Sequence, residues 1–299
     1  MDAPRDRAVV ANNLRRMLRR LSEAAGSGRR ATAIPVLGLA LSLTAPVVAA
    51  GDFQSARPAA RVEYWQKREA EITAFLATSK TLAAIRLVFL GDSITDFWSL
   101  REDPWVRGQW HGADVWAESF TGANPANLAI NMGISGDRTE HILHRILPRA
   151  SGGLGELDAP ALRPDYVILM AGINNSWAPE DPAADSILDG VVAIVAAIHQ
   201  RKPAARVVLQ SLLPTSDDTK NREVVQPVNA RLAIFAASAS QAGWVRYLDL
   251  YPAFVDASGK QIASDFNEGL HPSAAGYRVW RDRLVPFLEC DRAGRSGDR

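Results

Sequence analysis

What is scarce in this chain narrows the field first. Among 299 residues there is one cysteine, Cys290, so an internal disulfide and a cysteine-ligated zinc site are both excluded. Glycine (21) and proline (17) are too few for a collagen-like or low-complexity chain. Excess charge of either sign is also missing. The 34 basic side chains face 33 acidic ones, which provides no basic surface of the kind nucleic acid requires. What the chain does have is apolar bulk: 47% hydrophobic residues and eight tryptophans. That composition can bury enough surface to offset chain entropy, so disorder is excluded and one large globular domain or two small ones remain.

Residues 1–50 stand apart from the rest. Residues 1–30 hold eight Arg against three acids, Ala31–Pro46 is uncharged and mostly apolar, and Val47-Val48-Ala49-Ala50 follows. A basic stretch, an apolar stretch and small residues in that order form the layout of a cleavable secretory signal. Cleavage is expected near Ala50, leaving a single domain at 51–299 that is exported to the periplasm or beyond the cell. Met17 is a second candidate start, which would shorten the basic stretch. A buried N-terminal helix or an uncleaved anchor are the other readings, although Pro35 and Pro46 make the apolar stretch short for a membrane helix. With residues 1–50 set aside, 26 basic and 30 acidic residues remain, a net charge of −4. Neither anionic polymers nor anionic membranes suit such a chain as partners, and no membrane-spanning domain is expected in it.

Strand-like and helix-like patterns alternate beyond that point. Short apolar, β-rich runs occur at 86–90, 128–131, 166–170, 206–209 and 245–248. Between them, helical spacing covers 62–78, 139–147, 185–201 and 227–241, with Tyr64, Trp65, Ile72, Phe75 and Leu76 on one face of the first. A last helix is predicted over 274–285, stopping before Pro286. Residues 98–125, rich in Trp, Gly and Pro, read as a long loop excursion. Five short apolar strands separated by amphipathic helices imply an α/β fold with a parallel sheet covered on both faces.

In open parallel sheets, functional groups gather beyond the carboxyl ends of the strands, and the informative residues fall there. They are Gly91-Asp92-Ser93 after the first strand, Ile134-Ser135-Gly136-Asp137 after the second, Gly172-Ile173-Asn174-Asn175 after the third, and Glu268-Gly269-Leu270-His271 before the last helix. These four blocks, in this order, make the stretch from Tyr64 to Trp280 resemble the SGNH or GDSL-type hydrolases, most closely the platelet-activating-factor acetylhydrolase-like branch. The resemblance implies a flavodoxin-like three-layer α/β/α sandwich. It also implies Ser93 as nucleophile, His271 as general base, and an oxyanion site built from the Ser93 and Gly136 N–H groups with the Asn174 amide. No metal and no cofactor is implied.

Two positions depart from that family's pattern. The acid three residues before the histidine is Glu268 where Asp is usual; Glu268 is assigned the role of orienting His271, with Asp265 as its competitor and a backbone carbonyl as a third possibility. Ile173 stands where Thr is common. Asp137 and Asn175 read as structural, since polar residues in such turns usually bond the backbone. His141 and His144, three apart on a helix, have no third ligand and read as ordinary helix residues; His111 and His199 belong to no pattern. Trp98, Trp105, Trp110 and Trp177 lie near the strand-end turns in sequence, and Trp177, next to the Asn174-Asn175 turn, is the candidate for substrate contact.

The expectation is therefore an exported serine esterase that removes short acyl groups, acetyl above all, from a small-molecule or glycan ester through an acyl-enzyme. A lysophospholipase or thioesterase with the same residues is one alternative. A non-catalytic carbohydrate-binding relative is the other, although Ser93, Gly136, Asn174 and His271 are all present.

Overall fold

The computed structural model describes residues 53–61, 65–178, 180–238 and 240–297, so the expected signal segment and Tyr64 lie outside it. Five parallel strands form the sheet: β1 (Leu87–Gly91), β2 (Ala129–Gly133), β3 (Tyr166–Met170), β4 (Arg206–Gln210) and β5 (Val245–Leu248). Their spatial order is β2-β1-β3-β4-β5. Every residue of β1 and β3 is buried, as central strands covered on both faces require, whereas β5 at the edge buries only its two ends.

The helices flanking the sheet include α1 (Trp65–Thr78), α2 (Ser93–Asp96), α3 (Ala113–Phe120), α4 (Thr139–Ile146), α5 (Ala183–Arg201), α6 (Gln226–Ala236) and α7 (Ala274–Gly297). The crossovers through α4, α5 and α6 all run toward β5, and right-handedness puts them on one face, where α5 packs against both neighbours. The crossover through α3 runs the opposite way, so α3 lies on the other face, against α7. The result is the expected α/β/α sandwich. α5 is long and apolar enough to cross a membrane, but half of it is buried inside this sandwich.

The face under α3 and α7 is filled by aromatics. Trp98, fully buried, lies 4.4 Å from Trp280 and 5.2 Å edge-on from Phe120, ring centre to ring centre, and Phe89 of β1 packs edge-on against Trp98, Trp116 and Phe120. This corrects the reading of residues 98–125 as a plain loop. The stretch contains α3, whose Val115, Trp116 and Phe120 are buried, and Trp98 is core. Along the other edge, α1 protects β2: Arg68 donates to the Asn131 and Gly133 carbonyls at 2.9 and 3.3 Å, occupying positions a further strand would take. Only Trp65 and Ile72 of α1 are buried, and Phe75 is exposed.

The last helix does not stop before Pro286 but continues to Gly297. Proline removes the N–H that would bond the carbonyl of Asp282. Both residues face solvent, so water can take that bond and the helix continues. Cys290 therefore lies within α7, exposed, and not beyond it.

Candidate active site

β1 ends at Gly91, where the chain is packed so closely that a Cβ would come within 2.6 Å of the Met170 carbonyl oxygen. Asp92 then caps α2, its Oδ1 accepting the Ile94 N–H at 3.0 Å. Ser93 is the first residue of that helical turn, and its backbone N–H has no acceptor among the described residues. Its hydroxyl lies 2.8 Å from His271 Nε2. The other ring nitrogen, Nδ1, bonds Glu268 Oε1, which also accepts the His271 backbone N–H at 3.2 Å. An ionised carboxylate only accepts, so Nδ1 carries the proton and Nε2 offers a lone pair to the Ser93 hydroxyl. Glu268, and not Asp265, is thus the acid bonded to the imidazole; the Asp265 backbone carbonyl instead accepts the Ser273 N–H.

After β2 the chain turns at Ile134–Asp137, closed by the Asp137 N–H on the Ile134 carbonyl at 3.1 Å, with Gly136 at φ +78°. The Gly136 N–H has no acceptor among the described residues. Asn174 joins this turn, its Nδ2 donating to the Asp137 carbonyl at 2.9 Å. Asp137 ties these parts together. Its carboxylate is fully buried and accepts from Arg145, Trp65 and Arg61 at 2.7, 3.0 and 3.2 Å. Arg145, buried as well, is held by Glu156 on its other edge. Burial opposes the charge on Arg145, and the Glu156 and Asp137 carboxylates outweigh it, holding its pKa above the ordinary value. Asn175 accepts the Thr139 N–H at 3.1 Å, a bond within the scaffold.

A cavity of about 450 Å³ opens in front of these groups, lined in part by Arg61, Trp105, Val106, Gly136, Glu268 and His271. Trp177 is not among the lining residues. It is exposed, with the Lys220 ammonium 3.5 Å from the ring centre. Trp105 is the tryptophan at the cavity.

His111, which no sequence pattern singled out, is buried with its ring centre 6.4 Å from that of His271. Its Nε2 lies 3.1 Å from Asp103 Oδ2 and its Nδ1 3.2 Å from the Pro272 carbonyl. Asp103 is pushed up by burial, but the N–H groups of Trp105 and Val106 and the His111 ring outweigh this and lower its pKa. His141 accepts the Arg138 N–H at Nδ1, and burial, with Arg61 and Arg138 nearby, lowers its pKa to about 4. No cluster of three or more His, Cys, Asp or Glu able to hold a metal occurs among the described residues.

Comparison with known proteins bears on this arrangement. Residues 89–279 match the model of the GDSL-like lipase/acylhydrolase family. The chain belongs to that family. This acylhydrolase is 32% identical over 227 residues to the platelet-activating factor acetylhydrolase IB subunit alpha1 of Homo sapiens, an alignment spanning 73% of this chain and 83% of that protein. To the alpha2 subunit of Rattus norvegicus it is 28% identical over 192 residues, spanning 64% and 70%. A crystal structure of a GDSL-like lipase from Bacteroides thetaiotaomicron superposes with a TM-score of 0.54 at 21% identity, over 76% of this chain and 98% of the other, and so shares the fold. The acylhydrolase is accordingly a hydrolase acting on ester bonds.

Two expected outcomes follow from the geometry. Burial, only partly offset by the Ile94 N–H and by the nearby His271, raises the Asp92 pKa from 3.8 to about 7. Between these values the folded chain binds more protons than the unfolded one, so this group makes stability fall as pH rises from about 4 to about 7 and level off above. Asp92→Asn keeps an acceptor for Ile94 and removes the titration. Denaturant unfolding should find the variant gaining on wild type across that window, by at most about 4 kcal/mol, and a pH-independent difference would refute the burial argument. In steady-state hydrolysis, Glu268→Gln should reduce kcat more than Asp265→Asn does; the reverse ranking would give the orienting role to Asp265.

Proposed function

We propose that this acylhydrolase is a serine esterase that removes short acyl groups, acetyl above all, from a carbohydrate or related alcohol through an acyl-enzyme. The observation that carries the reading is the 2.8 Å contact between Ser93 Oγ and His271 Nε2, with Glu268 bonded behind the ring. A serine hydroxyl is a weak nucleophile at neutral pH, and a neutral imidazole in hydrogen-bond contact can take its proton as the bond to the ester carbonyl forms. Glu268 fixes the tautomer and stabilises the imidazolium that results.

Negative charge then builds on the former carbonyl oxygen. The Ser93 and Gly136 N–H groups and the Asn174 amide are the donors assigned to it, and losing one such donor typically costs about 2.7–4 kcal/mol of barrier. His271 returns the proton to the departing alcohol, and a water molecule repeats the sequence on the acyl-enzyme.

The short acyl group is supported by the acetylhydrolase relatives and by a cavity of about 450 Å³. A sugar-like alcohol is supported by the half-exposed Trp105 face beside Gln109, Asp103 and Arg61, since aromatic faces suit sugar rings and polar neighbours suit hydroxyls. Export rests on the layout of residues 1–50.

With p-nitrophenyl esters of increasing acyl length, kcat/KM should be highest for acetate and fall steadily; a maximum at long chains would reject the short-acyl assignment. On the preferred ester His271→Ala should lose on the order of 10³-fold or more in kcat with its thermal midpoint little changed, and near-normal turnover would reject the base. The exported chain should begin near residue 51, and a full-length chain confined to the cytoplasm would contradict export.

A further inference from the structure

The peptide joining Ser135 to Gly136 owes its orientation to what holds the turn around it. It is the central peptide of the Ile134–Asp137 turn, and positive φ at Gly136 gives the type II arrangement. Type I and type II turns differ by a flip of this one peptide. Because a trans peptide is planar, its carbonyl and its N–H point to opposite sides. A flip would withdraw the Gly136 N–H from the site and put the Ser135 carbonyl oxygen, a partial negative charge, in its place.

One side of this peptide is occupied by Arg61. Its Nη1 donates to the Ser135 carbonyl at 2.7 Å and to Asp137 Oδ1 at 3.2 Å. The guanidinium lies so close over Gly136 that a Cβ there would meet Nη2 at 2.6 Å. Arg61 is therefore fixed at three points of the turn: the carbonyl before Gly136, the carboxylate after it, and the face of Gly136 itself. Asp137 supplies the counter-charge and is itself held by Arg145 and Trp65.

We propose that Arg61 is a positioning residue for the oxyanion site, holding the Ser135–Gly136 peptide in the type II orientation and polarising its N–H. The inference rests on the preceding reading, in which the Gly136 N–H receives the oxyanion. Two physical effects support the role. A flip would break a charge-assisted hydrogen bond, stronger than a neutral one. A cation at the carbonyl end of an amide also draws electron density from its N–H end and so strengthens the donor, the cooperativity of hydrogen bonds in series.

A purely structural role, pinning residues 53–61 to the body, is already filled by other bonds. The Ala59 N–H reaches the Glu140 carbonyl at 3.1 Å, Thr139 Oγ1 donates to the Ser55 carbonyl at 2.8 Å, and the Gln54 and Ser55 N–H groups bond Glu180 at 2.7 and 2.9 Å. Removing the guanidinium leaves all of these in place, and Asp137 keeps Arg145 and Trp65.

The test uses Arg61→Gln, Arg61→Lys and Arg61→Ala with p-nitrophenyl acetate, an uncharged ester that offers Arg61 no ionic contact. Arg61→Gln is expected to lower kcat on the order of 10- to 100-fold, less than outright loss of an oxyanion donor, with KM within about two-fold. Arg61→Lys should fall between it and wild type. A trifluoromethyl ketone, which forms an oxyanion on Ser93, should bind Arg61→Gln more weakly by a factor similar to the loss in kcat, and millimolar guanidinium should restore part of the Arg61→Ala rate. Unchanged kcat and ketone affinity in Arg61→Gln, or losses matched by a lowered thermal midpoint and not rescued by guanidinium or by Lys, would overturn the proposal. Ser93→Ala measured alongside separates the two layers: if it is inactive while Arg61→Gln is fully active, this inference alone fails, and if it is active, the serine mechanism beneath it fails too.

Discussion

One contact organises the molecule's chemistry: a hydroxyl and an imidazole 178 positions apart in sequence meet at 2.8 Å. No local structure can bring that about, so the fold has to. Parallel strands all point their carboxyl ends the same way, and β1, β2 and β3 lie side by side in the order β2-β1-β3. The turns that follow them therefore open along one rim. The Gly91-Asp92-Ser93 turn stands in the middle, with the Gly136 turn and the Asn174 turn on its two sides. His271 arrives last, on the segment leading into α7, bonded by Glu268 and with the Phe97 ring 4.7 Å from its own, centre to centre.

Holding open polar turns at a rim calls for a rigid scaffold beneath them. Asp137 provides much of it, because three side chains converge on its carboxylate while its own carbonyl orients Asn174. Burying such a cluster is tolerable because Arg145 pairs with both Asp137 and Glu156; a single unpaired member would be costly. Asp92 sits on the other side of this balance. One carboxylate oxygen caps α2, and the other is buried with no hydrogen-bond partner among the described residues, in keeping with burial as the largest influence on its protonation.

Much of this was legible in the sequence, and the reasons differ by element. β3 and β5 fall on the predicted residues because each is a short apolar or β-rich run bounded by breakers. The four turns stood out because each combines glycine with polar residues directly after such a run or, for the last, just before a helix. Other features were hidden. α3 was masked by the Trp, Gly and Pro around it, although its buried residues serve the same aromatic core as Trp98. α7 passes Pro286 because the lost bond faces water, a fact of orientation that composition cannot express. Trp177 is next to the Asn174 turn in sequence, yet it is Trp105 that lines the cavity. Arg61 and His111 belong to no motif: the Ser135 carbonyl that Arg61 bonds lies 74 positions away, and of the two partners of His111 one, the Pro272 carbonyl, is 161 away and the other, Asp103, sits in an irregular stretch.

The family likeness and the geometry converge on an ester hydrolase, and the central claim is that its nucleophile is Ser93 activated by His271. The most direct measurement is intact-mass and peptide mass spectrometry after brief exposure to a fluorophosphonate. The wild-type chain should carry a single adduct, on the peptide containing Ser93, and labelling should be slowed by orders of magnitude in His271→Ala. An adduct on another residue, or equal labelling of Ser93 with and without the imidazole, would contradict it.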